Sequence, residues 1–147
     1  MNTIKFYYEY EDFGYFSNYW LADIFLDGQV WPSSEHYYQA NKSIDPVYKE
    51  KVRLAATCDD AKALGNSEEC VFRPNWLDVK DEVMMTALRA KFTQHDDLRK
   101  LLLETGDAVL MENSQKDYYW GIGADGSGKS MLGKLLMALR EELREMC

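Results

Sequence analysis

Residues 24–42 read IFLDGQVWPSSEHYYQANK, and this stretch sets the fold class. Asp27-Gly28 stands between two β-prone runs, a strong local signal for a tight hairpin. Pro32 has no N–H to give to a sheet and stops the second strand. Ser33 or Ser34 then caps a helix through EHYYQANK, with Glu35 in its first turn, where the helix dipole favours negative charge.

Working outward, IKFYY (residues 4–8) and AVLMEN (residues 108–113) read as further strands. Pro46 opens a helix over VYKEKVRLAA, and Thr57-x-x-Asp60 starts another that stops at Gly65-Asn66. Beyond RPNW, the apolar residues Val79, Val83, Met84, Ala87, Leu88 and Phe92 recur at three- and four-residue spacing, which predicts a long helix across the core. Leu98, Leu101 and Leu102 continue a helical pattern up to Gly106. A last helix follows WGIGADGSGKS, with Leu132, Leu135, Leu136, Leu139 and Leu143 on one face. The expected class is α+β: a mainly helical single domain over 1–147 with a few short strands, including an N-terminal hairpin.

Composition narrows the function. With 17 basic against 25 acidic residues, the formal charge is -8, so the summed field repels duplex nucleic acid and anionic membranes. Phosphate must be held by a few local cations. The three cysteines, Cys58, Cys70 and Cys147, form neither a disulfide framework nor a zinc spacing, which suits a reducing compartment. The N-terminus carries acids among its aromatics where a signal peptide needs a basic start. A soluble, cytoplasmic protein is expected, with no membrane partner, no metal and no cofactor.

Gly123-Ala-Asp-Gly-Ser-Gly-Lys-Ser130 matches the phosphate-cradling pattern GxxxxGK[ST] letter for letter, and a helix follows it. Its context fails. QKDYYWGI is not an apolar strand, and the 17 residues after Ser130 leave no room for a strand ending in a magnesium-binding acid. A connector into the last helix, or a helix start whose amides meet a phosphate without hydrolysing it, fits better.

On the helix after Ser33, Glu35, Gln39 and Lys42 fall at i, i+4 and i+7, so a carboxylate, an amide and an ammonium share one face. That face is either one wall of a polar pocket or a solvated surface. His36, with His95 the only other histidine, is no metal signal. Three loops mix aromatic and polar residues: Phe13 to Asn18, Arg73-Pro-Asn-Trp76, and Asp117-Tyr-Tyr-Trp120-Gly121-Ile-Gly123. Ten Tyr and four Trp exceed what one core of this size needs, and together these loops suit a flat heterocycle with hydrogen-bonding edges.

In the same order along nearly the whole chain, FSNYW, WPSSEHYYQANK, RPNW, VMMTALRAKF, LLLETGDAVLMEN and KDYYWGIGADGSGKSMLGKLLMALR resemble the blocks of the NADAR, or YbiA-like, family. The chain departs from the pattern at Lys129-Ser130, where members tend to carry Asn or Arg; this departure creates the P-loop lookalike. The resemblance implies N-glycosidic hydrolysis of a small ribosyl-phosphate substrate, the ribosylamino-pyrimidine phosphates of the early riboflavin pathway, releasing ribose 5-phosphate. The alternatives are removal of ADP-ribose from guanine in nucleic acid, or a catalytically silent ADP-ribose or nucleotide-binding module. It also implies that Glu35 is the catalytic carboxylate, Asp117 the second acid and Trp76 the tryptophan of the site. Lys42, Asn18, Arg73, Trp120 and Gly121 are assigned to the same pocket, Lys42 as a phosphate ligand or as an amine attacking an opened sugar.

Overall fold

The computed structural model describes residues 2–146. The backbone groups into two compact units. One takes the two ends of the chain, up to Trp20 and from His95 onward, and the other is Leu21–Gln94. The class is α+β and mainly helical, as the periodicity predicts.

In the second unit, β2 (Ile24–Leu26) pairs antiparallel with β3 (Gln29–Trp31). Asp27 and Gly28 both take positive φ, 56° and 76°, the conformation that closes a two-residue turn with the twist of its strands. The Asp27 carboxylate accepts from the Tyr37 hydroxyl at 3.0 Å. Trp31 Nε1 donates to the Leu26 carbonyl, which ties the hairpin to itself. The outer side of β2 is closed by a side chain: the Gln94 carboxamide accepts from Phe25 N–H and donates to Phe25 C=O, as a neighbouring strand would.

Helix α1 (Ser34–Ala40) is capped by Ser33, whose hydroxyl accepts from His36 N–H. Asp45 caps α2 (Pro46–Arg53), and Thr57 caps α3 (Cys58–Gly65). Helix α2 stops three residues before the predicted end; the next residue, Leu54, is exposed and adds nothing to the buried stripe. Helix α4 (Trp76–Gln94) begins three residues earlier than its apolar periodicity. Helices α2, α3 and α4 all pack on α1, around Ile24, Trp31, Tyr37, Ala40, Val52, Ala61, Ala87 and Ala90. The small residues at four of these positions let α1 be enclosed on all sides, and every residue from Ser34 to Ala40 is buried.

In the first unit, β1 (Thr3–Phe6) runs parallel to β4 (Val109–Glu112), with Thr3 opposite Val109 and Phe6 opposite Glu112. Helix α5 (Asp96–Glu104) ends before Gly106, which takes positive φ. Helix α6 (Met131–Glu145) lays Leu132, Leu136, Leu139 and Leu143 into the core. At Gly133 a Cβ would collide with the Leu110 carbonyl, so glycine is what lets α6 lie against β4. Arg140 binds the Ala108 carbonyl and the Thr105 hydroxyl, each at 2.9 Å. No helix among the described residues is long and apolar enough to cross a membrane. Cys58 and Cys70 are buried free thiols; Cys147 lies outside the described residues.

Lys91 of α4 is fully buried. Burial pulls its pKa from 10.5 down to about 7, opposed in part by Cys58. Between about 7 and 10.5 the unfolded chain therefore binds more protons than the folded one, and stability gained from this group rises with pH; below about 7 its full cost is present. Chemical denaturation from about pH 7 to about pH 10 should show wild type gaining on Lys91→Met as pH rises. A stability difference that stays flat over that range contradicts the assignment.

Candidate active site

Enclosure of α1 decides between the two readings of its polar face. Glu35 and Gln39 are 7% and 4% exposed, and Lys42, just past the helix end, is buried too. None of them forms a solvated surface. Charged groups of this kind are retained inside a fold only with partners, and each has one. Gln39 Nε2 donates to Glu35 Oε2 at 2.6 Å. Lys42 Nζ donates to Asn66 Oδ1 at 2.9 Å, and it also lies 5.5 Å from the centre of the Tyr38 ring and 5.7 Å from that of Phe72. Burial holds the Lys42 ammonium below the ordinary lysine range, while the negative charge of Glu35 pulls the other way.

Two further predicted residues of the unit join this group through the backbone and the rings. Arg73 N–H donates to the Lys42 carbonyl at 2.7 Å, beside the bridge between Ser43 and Phe72. The Arg73 guanidinium holds Asn75 Oδ1. Trp76 is 5% exposed and meets Tyr38 with ring centres 5.1 Å apart, so it backs the tyrosine beside the Lys42 ammonium. Phe72, Asn66 and Tyr38 were not singled out in the sequence. Phe72 carried one usable signal: it is a large apolar residue in a loop, and it proves to be 46% exposed.

His36 faces away from this chemistry. Its Nε2 meets the Ala55 carbonyl, which makes that nitrogen the donor, so Nδ1 accepts from the Ser33 hydroxyl at 2.7 Å. Burial lowers its pKa, and the ring is neutral and structural.

The other four predicted residues lie in the first unit. Asn18 follows the 3₁₀ turn Gly14–Phe16 and is partly buried. Asp117 Oδ1 accepts from the N–H groups of Tyr119 and Trp120 at 2.9 and 2.8 Å, an Asx turn that shapes the loop carrying Trp120. Trp120 packs edge-on against Tyr119, with ring centres 4.9 Å apart. At Gly121 a Cβ would stand 2.7 Å from Ser114 Cβ, so this glycine is required by the packing of its own loop.

The P-loop lookalike holds no phosphate cradle. The N–H groups of Gly128, Lys129, Ser130, Met131 and Leu132 donate to the carbonyls of Ile122, Tyr118, Gly121, Tyr119 and Trp120. The amides that a P-loop or a free helix start would turn to an anion are thus consumed. The Ser130 hydroxyl accepts from Glu112 N–H, and the Lys129 ammonium sits 5.6 Å from the centre of the Tyr119 ring. The glycines of the segment close a turn onto the loop at Asp117.

The family model of the NADAR domain matches residues 5–144; the chain belongs to that family. It is 48% identical over 140 residues to the N-glycosidase YbiA of Escherichia coli (strain K12), covering 95% of this chain and 88% of that one. It is 44% identical over 142 residues to a riboflavin biosynthesis protein of Vibrio vulnificus (strain YJ016), covering 97% of this chain and 39% of that one. The NMR structure of the E. coli protein YbiA superposes with a TM-score of 0.91 at 46% identity, covering 99% of this chain and 86% of that one.

Proposed function

We propose that this protein is an N-glycosidase that hydrolyses the ribose–amine bond of ribosylamino-pyrimidine phosphates of riboflavin biosynthesis, giving the free aminopyrimidine and ribose 5-phosphate. The observation that carries the reading is the buried carboxylate of Glu35, held by Gln39 one turn along α1 and near enough to the buried Lys42 ammonium for its charge to act on it. The names of the E. coli and V. vulnificus relatives support it.

As the C1′–N bond breaks, positive charge develops on the ribose ring and the bonding pair leaves with the amine. An ionised carboxylate stabilises the first, and it can take a proton from the water that adds to C1′. Glu35 is assigned both tasks. The departing amine takes up one proton, so one water is consumed and no other reactant is needed. Tyr38, backed by Trp76, and the half-exposed Phe72 offer ring faces to a flat heterocycle. Lys42 and Arg73 are the local cations for the phosphate. The alternative role of Lys42, attack on an opened sugar, is favoured by its lowered pKa and is separable: borohydride would trap a ribose adduct on wild type and none on Lys42→Arg.

Asp117 is assigned to bind the base or orient the water, alongside its work in the turn. Asp117→Asn separates the two, because the amide oxygen still accepts from Tyr119 and Trp120. Turnover should fall by roughly 100-fold with the melting temperature unchanged; a variant as active as wild type would leave Asp117 with its turn alone.

A net charge of -8 favours a free nucleotide over ADP-ribosylated guanine in a polynucleotide. The buried free thiols suit the cytoplasm. Purified protein offered each substrate separately decides the substrate class: the expected product is ribose 5-phosphate, and release of ADP-ribose alone would replace this reading with the second.

A further inference from the structure

Glu35 is not held by its own helix alone. The Gln39 carboxamide that binds it has a second end, Oε1, which is buried with no hydrogen-bond partner. A buried acceptor left unsatisfied costs stability and is retained where something outweighs that cost. What faces this oxygen is Gly65, the last residue of α3. A Cβ there would collide with Gln39 Oε1 and stand 3.0 Å from Gln39 Cδ, so the hydrogen in its place points at the amide oxygen.

A glycine at the end of a helix ordinarily serves a left-handed backbone. Gly65 does not. The glycines with positive φ are Gly28, Gly106, Gly123 and Gly126, and Gly65 lies within α3. Its backbone suits any residue, and its missing side chain is a matter of space. Oriented this way, the amide presents N–H to Glu35 Oε2, which favours the charged carboxylate and fixes its rotamer.

We propose that Gln39 is a positioning residue for Glu35, and that α3 comes to Gly65 bare so that the carboxamide is pressed against the carboxylate from behind. The proposal rests on the assignment of Glu35 to the chemistry and names what makes that carboxylate ready.

The test uses the full chain with ¹³C-labelled glutamate, so that the Glu35 carboxyl titration is read by NMR without any substrate. In Gln39→Leu the titration should move to higher pH, and kcat should fall by about tenfold or more with KM little changed, the scale of one charge-assisted hydrogen bond. Gly65→Ala should reproduce both effects. In the Gln39→Ala background, which removes the clash, adding Gly65→Ala should change neither by as much as about twofold. That background also keeps the test informative should Gly65→Ala alone fold poorly.

An unmoved Glu35 titration in folded Gln39→Leu overturns the proposal, as does a Gly65→Ala effect that persists without the glutamine. A wild type that cleaves no ribosylamine while the titrations move as expected would sink the hydrolase reading and leave the positioning intact.

Discussion

Glu35→Gln should lower turnover by roughly 100-fold or more while leaving the fold intact, because it removes a charge and keeps a shape. The substituted amide oxygen can still accept from Gln39, so the contact seen at 2.6 Å survives. A neutral group also desolvates more easily than a carboxylate in the buried surroundings of α1. Melting temperature should therefore hold or rise. Substrate affinity should change little, since the lost interaction is one that grows as the sugar becomes cationic. Turnover near that of wild type would move the chemistry to another residue.

Trp76→Ala is expected to act first on stability. The indole is 5% exposed and opens α4, where its ring lies on Tyr38. Emptying such a site costs about 3–5 kcal/mol, which for a chain of this length lowers the melting temperature by about 10 °C. Tyr38 would lose its backing, so a rise in KM of up to roughly 100-fold follows if its face carries the heterocycle. Denaturation and binding measured on the same sample separate the two effects. Wild-type stability with weakened binding would mean that the ring meets the ligand directly.

Local chemistry made much of the fold legible. Asp27-Gly28 announces its turn because few pairs accept two positive φ angles, and Ser33, Asp45-Pro46 and Thr57 mark helix starts because each is suited to the orphan amides there. The parallel pairing of Thr3–Phe6 with Val109–Glu112 was not legible, since periodicity shows that a strand exists and says nothing of a partner a hundred residues away. The site divides in the same way. Glu35 and Gln39 share a face by helix geometry alone, whereas the helix that the sequence carries on to Lys42 stops at Ala40. Asn66 read only as a helix stop and Phe72 as a loop residue, because what places them at Lys42 is the docking of α3 on α1 and the bridge to Ser43. The GADGSGKS segment misled in the opposite sense: a pattern of residue types matched, and the carbonyls of Tyr118 to Ile122, invisible in that pattern, took the amides the pattern exists to offer.

The central claim is tested most directly by mixing wild type with a ribosylamino-pyrimidine phosphate, without nucleoside triphosphate or added metal, and quantifying both products by mass spectrometry. Aminopyrimidine and ribose 5-phosphate should appear in equal amounts with wild type, and at least about 100-fold more slowly with Glu35→Gln. No cleavage by wild type, or equal cleavage by the two proteins, would contradict the account.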